Sequence, residues 1–312
     1  RQQTQALERA SLAPWASFSE NTAGRETPEE ECPIRTPYQR DRDRIIHCNA
    51  YRRLMHKTQV FLFPQGDHYR TRLTHTLEVS QIARTVARGL RLNEDLVEAI
   101  AMGHDLGHTP FGHAGEFALR DVSPIYFRHS EQSVRVVERL EKDGRGLNLT
   151  KEVRNGILCH SDGMPWADTL EGCVVRYADK VAYINHDIDD AMRGGILSSD
   201  DLPWDVKVNL GATKSQRITT LVTSLIRNSG PDGIKMDEET HHYYEELKTF
   251  LLATVYKDPV AKGEEGKAQD MLAMLFEYYQ KNPDELPADF QAIRAEEGVE
   301  RAVCDYIGGM TD

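Results

Sequence analysis

The chain is expected to be all-α, and three features of its 312 residues predict this. Apolar side chains recur at the three-to-four spacing of a helix along most of its length, and patterns of strict alternation are scarce. Two segments, at Asn93-Glu94-Asp95 and Asp237-Glu238-Glu239, open on the acids that a helix N-terminus favours. No internal repeat is visible.

Taken in order, residues 1–40 form an N-terminal arm. Its stretch from 11 to 40, with Pro14, Pro28, Pro33 and Pro37 among Ser, Thr and Glu, reads as irregular chain draped over the body or over a neighbouring subunit. Helices are expected at about 41–55, 72–90, 94–106, 113–121, 130–142, 150–160 and 168–193, within a core spanning 41–200. Val60-Phe61-Leu62-Phe63 suits a short strand or hairpin, and Gly144-Arg145-Gly146-Leu147-Asn148 a turn between helices. Beyond Pro203, segments near 205–229, 237–257, 265–281 and 297–308 make a C-terminal helical region, 201–312, packed on the core, in which Lys257-Asp258-Pro259 ends a helix. His241-His242-Tyr243-Tyr244 resembles a metal or stacking site at first sight, but it sits in an acidic amphipathic helix and suits a surface or subunit contact.

Composition narrows the function. A net charge of −12 argues against a nonspecific nucleic-acid coat, because a phosphate-rich partner is repelled at long range. An anionic substrate therefore needs local cations. The five cysteines, Cys32, Cys48, Cys159, Cys173 and Cys304, form no close pairs and no zinc motif, which fits reduced thiols in a cytoplasm. No apolar run approaches the roughly 20 residues that span a bilayer, and no leader pattern is present, although the chain begins at Arg1 without a Met.

The chemistry concentrates in Gly103-His104-Asp105-Leu106-Gly107-His108-Thr109-Pro110-Phe111-Gly112-His113, where three imidazoles and a carboxylate share eleven residues. The cluster follows a helical pattern, its glycines let backbone approach a ligand closely, and Pro110 prevents regular continuation. His104 and Asp105, at a helix end, can bend toward one divalent ion such as Mn, Fe, Zn, Co or Mg. Two ligands are too few. His75 shares a stripe with Val79, Ile82 and Val86, and Asp179 a face with Val175 and Ala182, so both are placed toward the core. A lone core His is commonly just hydrogen-bonded and a lone buried Asp commonly paired with Arg; together with His104-Asp105, the two complete a set of two imidazoles and two carboxylates with positions left for water or phosphate.

His113 and Glu116 are three apart at the start of a helix and so share a face. A carboxylate bonded to one ring nitrogen raises the basicity of the other, which makes a proton-transfer unit, although an ordinary capping pair has the same spacing. Arg72, one turn before His75, can aim at whatever the metal holds. Tyr183 and Asp187 continue the stripe of Asp179 at intervals of four.

The ordered series His75, His104-Asp105 and Asp179 resembles the HD-domain metal phosphohydrolases. Further stretches resemble one branch, the deoxynucleoside triphosphate triphosphohydrolases: Asp41-Arg42-Asp43-Arg44-Ile45-Ile46-His47, Tyr51-Arg52-Arg53-Leu54, Lys57-Thr58-Gln59-Val60-Phe61, Arg72-Leu73-Thr74-His75, the segment from His104 through Glu116, His129-Ser130-Glu131-Gln132-Ser133, and Tyr177 through Asp187. The resemblance covers about residues 38–195. It implies an HD-domain helical core with an appended helical bundle, and one divalent metal per active site held by His75, His104, Asp105 and Asp179. It further implies a catalytic pair His113 and Glu116, and phosphate or sugar contacts from Arg72, His108, His129 and Lys180. By the same resemblance Tyr183 packs on a deoxyribose, Asp187 accepts from its 3′-hydroxyl and Gln59 reads the base, against the plainer reading of Tyr183 as core and Asp187 as a solvated face residue.

The expected reaction is hydrolysis of a dNTP to deoxynucleoside and tripolyphosphate, with His113 protonating the 5′-oxygen. The rivals are a phosphodiesterase or nucleoside monophosphatase on the same metal core, and a non-catalytic module for dNTP or single-stranded nucleic acid. The resemblance also implies a homo-oligomer, a dNTP activator at a second site and weak single-stranded nucleic-acid binding; no membrane is expected.

Overall fold

A computed structural model describes residues 1–59, 70–256 and 259–312, with backbone alone at 259–263. Its helices are α1 (Gln2–Ser11), α2 (Pro37–Ile46), α3 (Asn49–Arg53), α4 (Arg72–Leu90), α5 (Glu94–Gly103), α6 (Gly112–Val122), α7 (His129–Arg135), α8 (Lys151–Cys159) and α9 (Leu170–Arg193), then α10 (Trp204–Asn209), α11 (Lys214–Asn228), α12 (Glu238–Thr254), α13 (Pro259–Lys281), α14 (Ala288–Glu297) and α15 (Val299–Gly308). The fold is all-α, as the sequence predicts. Among the described residues strand pairing is limited to isolated bridges such as Thr58 with Thr71.

Boundaries follow local capping chemistry. α2 starts before the expected residue 41 because Thr36 and Gln39 form a capping box around Pro37, whose missing N–H costs nothing in a first turn. It stops at His47, and the Cys48 thiol caps a separate α3, so the expected 41–55 helix is two. α4 runs from a Thr71 cap to a left-handed Arg91, and α5 begins at the Asn93 side chain, which accepts from the Asp95 and Leu96 amides. The 205–229 segment divides at Gly211, whose φ of 120° turns the chain into a second capping box, Thr213 with Gln216. α14 is a helix the sequence reading missed; Gly298, at φ 96°, separates it from α15. The expected stop at Lys257-Asp258-Pro259 is corrected at its last residue: α12 ends at Thr254 and Pro259 opens α13. Residues 257–258 and the expected hairpin at 60–63 lie outside the described residues.

The arm is less irregular than expected, since α1 occupies its start and Pro37–Arg40 already belong to α2. The rest lies on the body. Ser17 donates through N–H and hydroxyl to buried Glu171 at 2.9 and 2.8 Å, the Ala23 amide donates to Glu152, and Arg25 pairs with fully buried Asp41.

Two apolar clusters frame the interior. The larger joins α4, α5, α8 and α9 and extends through Leu221, Leu225, Leu247 and Leu251 of α11 and α12. The smaller joins Ala114, Ala118 and Leu119 of α6 to Leu272 and Phe276 of α13 and to Val303 and Ile307 of α15. The segment from His104 to His113 passes from one to the other, so its polar groups sit where the two cores meet.

Candidate metal centre and nucleotide pocket

His75 comes from the first turn of α4, His104 and Asp105 from the end of α5, and Asp179 from the middle of α9. α4 packs along both α5 and α9, which brings the four side chains together. His75 Nε2 lies 3.1 Å from Asp179 Oδ1 and 4.0 Å from Asp105 Oδ2; His104 Nε2 lies 3.4 Å from Asp105 Oδ1 and 3.9 Å from Asp179 Oδ1. Ligands about 2.0–2.2 Å from a shared ion stand at such separations from one another. His104 Nδ1 donates to the Ala101 carbonyl at 2.7 Å, which leaves the Nε2 lone pair facing the cluster, and that buried atom has no hydrogen-bond partner among the described residues. An unpartnered buried acceptor beside two carboxylates is a donor set that fits a divalent cation.

Electrostatics prepare the carboxylates. Burial opposes ionisation of Asp105, yet His104, His108 and Arg72 hold its carboxyl well below the usual range. Asp179 is likewise held down to about 2 against burial, mainly by the hydrogen bond from His75. Arg72 is only 1 % exposed and donates to Asp105 Oδ2 at 2.8 Å, which leaves Oδ1 for the centre.

A cavity of about 500 Å3 opens over this cluster, within the range of small-molecule sites. Gln59, Arg72, His75, Asp105, His108, His113, Glu116, His129, Asp179, Lys180, Tyr183 and Asp187 all line it, while His104 is buried behind. Phe111, Ala114, Phe117, Arg120, His160, Ser161, Asp162, Leu252, Tyr256 and Glu265 complete the wall.

One expected pairing is corrected. Glu116 makes no bond to His113; its carboxylate accepts from His129 Nδ1 at 2.8 Å and from Arg120 one turn on. His113 is the second residue of α6 and points into the open pocket, whereas Glu116, a turn later, is buried against α7, whose first residue is His129. Burial works against ionised Glu116, but His129, then His113 and Arg120, hold it down to about 2. His113 is held down to about 4 by burial and by the neighbouring His129 and Arg72.

A hydrogen-bond chain continues from His129. His160 donates through Nδ1 to the Ile157 carbonyl at 2.7 Å, so its Nε2 accepts from the Ser161 hydroxyl at 3.1 Å. Ser161 Oγ then accepts from His129 Nε2 at 2.7 Å. With Glu116 on the other nitrogen, His129 donates from both, as an imidazolium does. His108 stacks on His129 at 4.1 Å with planes 12° apart, and its buried Nδ1 has no partner among the described residues. His108, His113 and His129 have ring nitrogens within 4.8 Å of one another, but the in-plane lone pairs of two stacked rings run parallel and cannot both meet one ion.

At the far wall, Lys180 pairs with Asp162 and Tyr183 is half-buried. Asp187 is buried, not a solvated face residue: Oδ2 accepts from the Tyr256 hydroxyl, Oδ1 has no partner among the described residues, and burial pushes its carboxyl up to about 7. Gln59 keeps a buried Oε1 without a partner among the described residues, and its carbonyl accepts from Arg72 at 3.4 Å. His241 and His242 are exposed on α12, away from the pocket lining.

His160 was missed, although the signal used for His75 was available: with Val153 and Ile157 it continues a buried stripe on α8. Leu252, Tyr256 and Glu265 carry no such signal, because their place in the wall depends on how α12 and α13 dock.

Comparison with known proteins finds relatives over the whole chain. Residues 72–184 match the HD domain family and residues 234–312 a phosphohydrolase-associated domain. Proteins named deoxyguanosinetriphosphate triphosphohydrolase-like are 56 % identical in Caldanaerobacter subterraneus subsp. tengcongensis, over 100 % of this chain and 92 % of that relative, and 49 % identical in Clostridium perfringens, over 100 % and 94 %. One in Geobacter sulfurreducens is 40 % identical over 98 % and 93 %. A crystal structure of a hypothetical protein from Aquifex aeolicus shares the fold at a TM-score of 0.51 and 20 % identity, covering 75 % of this chain and 60 % of the other.

Proposed function

We propose, because the chain belongs to the deoxyguanosinetriphosphate triphosphohydrolase-like family of HD-domain phosphohydrolases, that it hydrolyses a dNTP to the deoxynucleoside and inorganic tripolyphosphate. The observation that carries this is a cavity lined by His75, Asp105 and Asp179, with His104 buried behind them, in which a group of imidazoles and a sugar-sized wall of Tyr183 and Asp187 adjoin those candidate metal ligands.

A divalent ion held by His75, His104, Asp105 and Asp179, manganese or magnesium in this reading and one per active site, supplies a Lewis acid for an α-phosphoryl oxygen and a site that orients water. The remaining work belongs to the chain. Water attacks the α-phosphorus and sheds a proton to solvent, the bond from phosphorus to the 5′-oxygen breaks, and the departing oxygen takes a proton from His113, which regains one from solvent. Free of substrate, burial first and then the neighbouring His129 and Arg72 disfavour protonation of His113; a bound triphosphate offsets that repulsion and favours its protonated form. Glu116 acts through His129, which it orients toward the phosphate chain beside the His108 ring, while Arg72 and Lys180 add fixed positive charge. Tyr183 packs on the deoxyribose, Asp187 Oδ1 accepts from the 3′-hydroxyl and Gln59 reads the base.

The test is a panel of the four dNTPs, singly and mixed, with Mn or Mg, resolved by ion chromatography. Tripolyphosphate and deoxynucleoside in equal amounts are expected. Pyrophosphate with dNMP, or phosphate with dNDP, would sink the reading. Activation in the mixed arm tests the proposed dNTP activator, and sedimentation tests the proposed homo-oligomer. The proposed weak binding to single-stranded nucleic acid is read by titration with a labelled oligonucleotide. The enzyme is proposed to work in the cytoplasm; the described residues include no helix long and apolar enough to cross a membrane.

A further inference from the structure

The last turn of α15 and the residues after it reach the two backbone segments that border the pocket, a contact that the reaction above does not use. Both oxygens of the Asp312 carboxylate are engaged: Oδ2 accepts from the Thr58 amide at 2.6 Å and Oδ1 from the Phe111 amide at 2.7 Å. The Asp312 amide donates to the His56 carbonyl at 3.2 Å. A second link lies beside the first. The buried Lys57 side-chain nitrogen donates to the Gly308 carbonyl at 3.0 Å and to the His108 carbonyl.

These anchors hold specific pieces of the site. Thr58 precedes Gln59, and the Arg72 amide donates to the Lys57 carbonyl at 2.9 Å. Phe111 is the N-cap of α6 and His113 its second residue. Phe111 and Gly112 both have positive φ, 58° and 57°, and a Cβ on Gly112 would stand 2.7 Å from the Arg72 guanidinium. The backbone at this point is thus held in a sparsely populated conformation against the side chain that orients Asp105. A carboxylate that receives the Phe111 N–H also places negative charge at the N-terminus of α6, where the helix dipole favours it.

We infer that Asp312 is a positioning residue, which ties the start of α6 to the 56–59 segment and thereby sets where His113 sits relative to the metal centre. It touches no metal ligand and does not itself line the cavity; it reaches the lining through the backbone amide of Phe111, so its effect runs through backbone placement. A displacement of about 1 Å in an acid–base group costs up to about a hundredfold in rate. The inference takes its turnover readout from the proposed reaction, and its exchange readout is independent of it.

The experiment compares Asp312→Ala and Asp312→Asn with the full parent chain. The Asn amide keeps one acceptor oxygen and turns a donor toward the other N–H, so both variants behave alike if the double acceptance matters. Expected are a fall in kcat of about tenfold or more, KM within twofold, unchanged Mn binding and unchanged melting. Amide exchange is expected to be at least tenfold faster at Thr58 and across 107–116, with α5 unaffected. Parent-like exchange in those segments, parent-like kcat, or a loss of kcat that tracks loss of metal or of fold would each overturn the inference. Should the parent chain hydrolyse no dNTP, the proposed function fails, and the exchange data alone judge the tie.

Discussion

Asp187→Asn is the substitution whose outcome separates a residue kept for function from one kept for stability. Asp187 is 1 % exposed, Oδ1 has no partner among the described residues, and burial raises its carboxyl from an ordinary 3.8 to about 7. The folded state therefore binds the proton more tightly than the unfolded chain. Stability is highest below about pH 3.8, declines as pH rises toward 7, and levels off above it. At about 1.4 kcal/mol per pKa unit, the ionised acid costs the fold on the order of 4 kcal/mol at pH 8. An asparagine carries no charge, and its amide oxygen still accepts from Tyr256. The variant is expected to gain up to about 4 kcal/mol over the parent at pH 8 in EDTA and almost nothing at pH 4, read from urea midpoints at equal m-value. Adding Mn to the parent should shrink the gap, since a nearby cation favours the carboxylate. Turnover should move the other way, with KM rising because the 3′-hydroxyl loses a charged acceptor. Greater stability at lower activity marks a site under functional strain. Equal stability at pH 8, or a difference that ignores pH, would refute the reasoning.

Three further outcomes follow from the same geometry. Glu116→Gln keeps the shape but loses the charge that holds His129, so kcat should fall about 100-fold or more at constant metal content; near-parental kcat would remove Glu116 from the mechanism. Asp179→Asn removes one of the two carboxylates that face both His75 and His104 and leaves Asp105, so the rise in melting temperature that Mn gives the parent should shrink markedly; an undiminished Mn shift would mean the ion binds elsewhere. Ser161→Ala cuts the link between His160 and His129, and about a tenfold loss of kcat with unchanged Mn affinity is expected, whereas a kcat equal to the parent's would make the Ser161 contact incidental.

Much of the helical layout was legible because each segment carries its own signals. α4 lies where the His75, Val79, Ile82 and Val86 stripe put it, and the metal set was visible because His75 interrupts that stripe with a group that needs a partner. The errors fall where a local signal was weaker than its neighbours, as at Cys48, where a thiol cap divides an apparently continuous helix, and at α14, which buries no residue fully and so shows little periodicity. The Glu116 partner was misjudged for a different reason. Spacing of three along α6 says that His113 and Glu116 share a side of one helix, but not that the start of α7 presses His129 closer to the carboxylate.

What the sequence alone determined is therefore the fold class, most of the helical segments and the order of side chains able to hold a metal, since these depend on interactions within a turn or two of chain. Tertiary structure decided which groups meet. It turned Glu116 to His129, brought Leu252 and Tyr256 of the C-terminal region onto the pocket, buried Asp187 beneath the Tyr256 hydroxyl and laid Asp312 across the start of α6. Hydrogen bonds and desolvation act over a few ångströms in space, and residues 201 positions apart in the chain, such as Phe111 and Asp312, carry no local pattern that announces the contact.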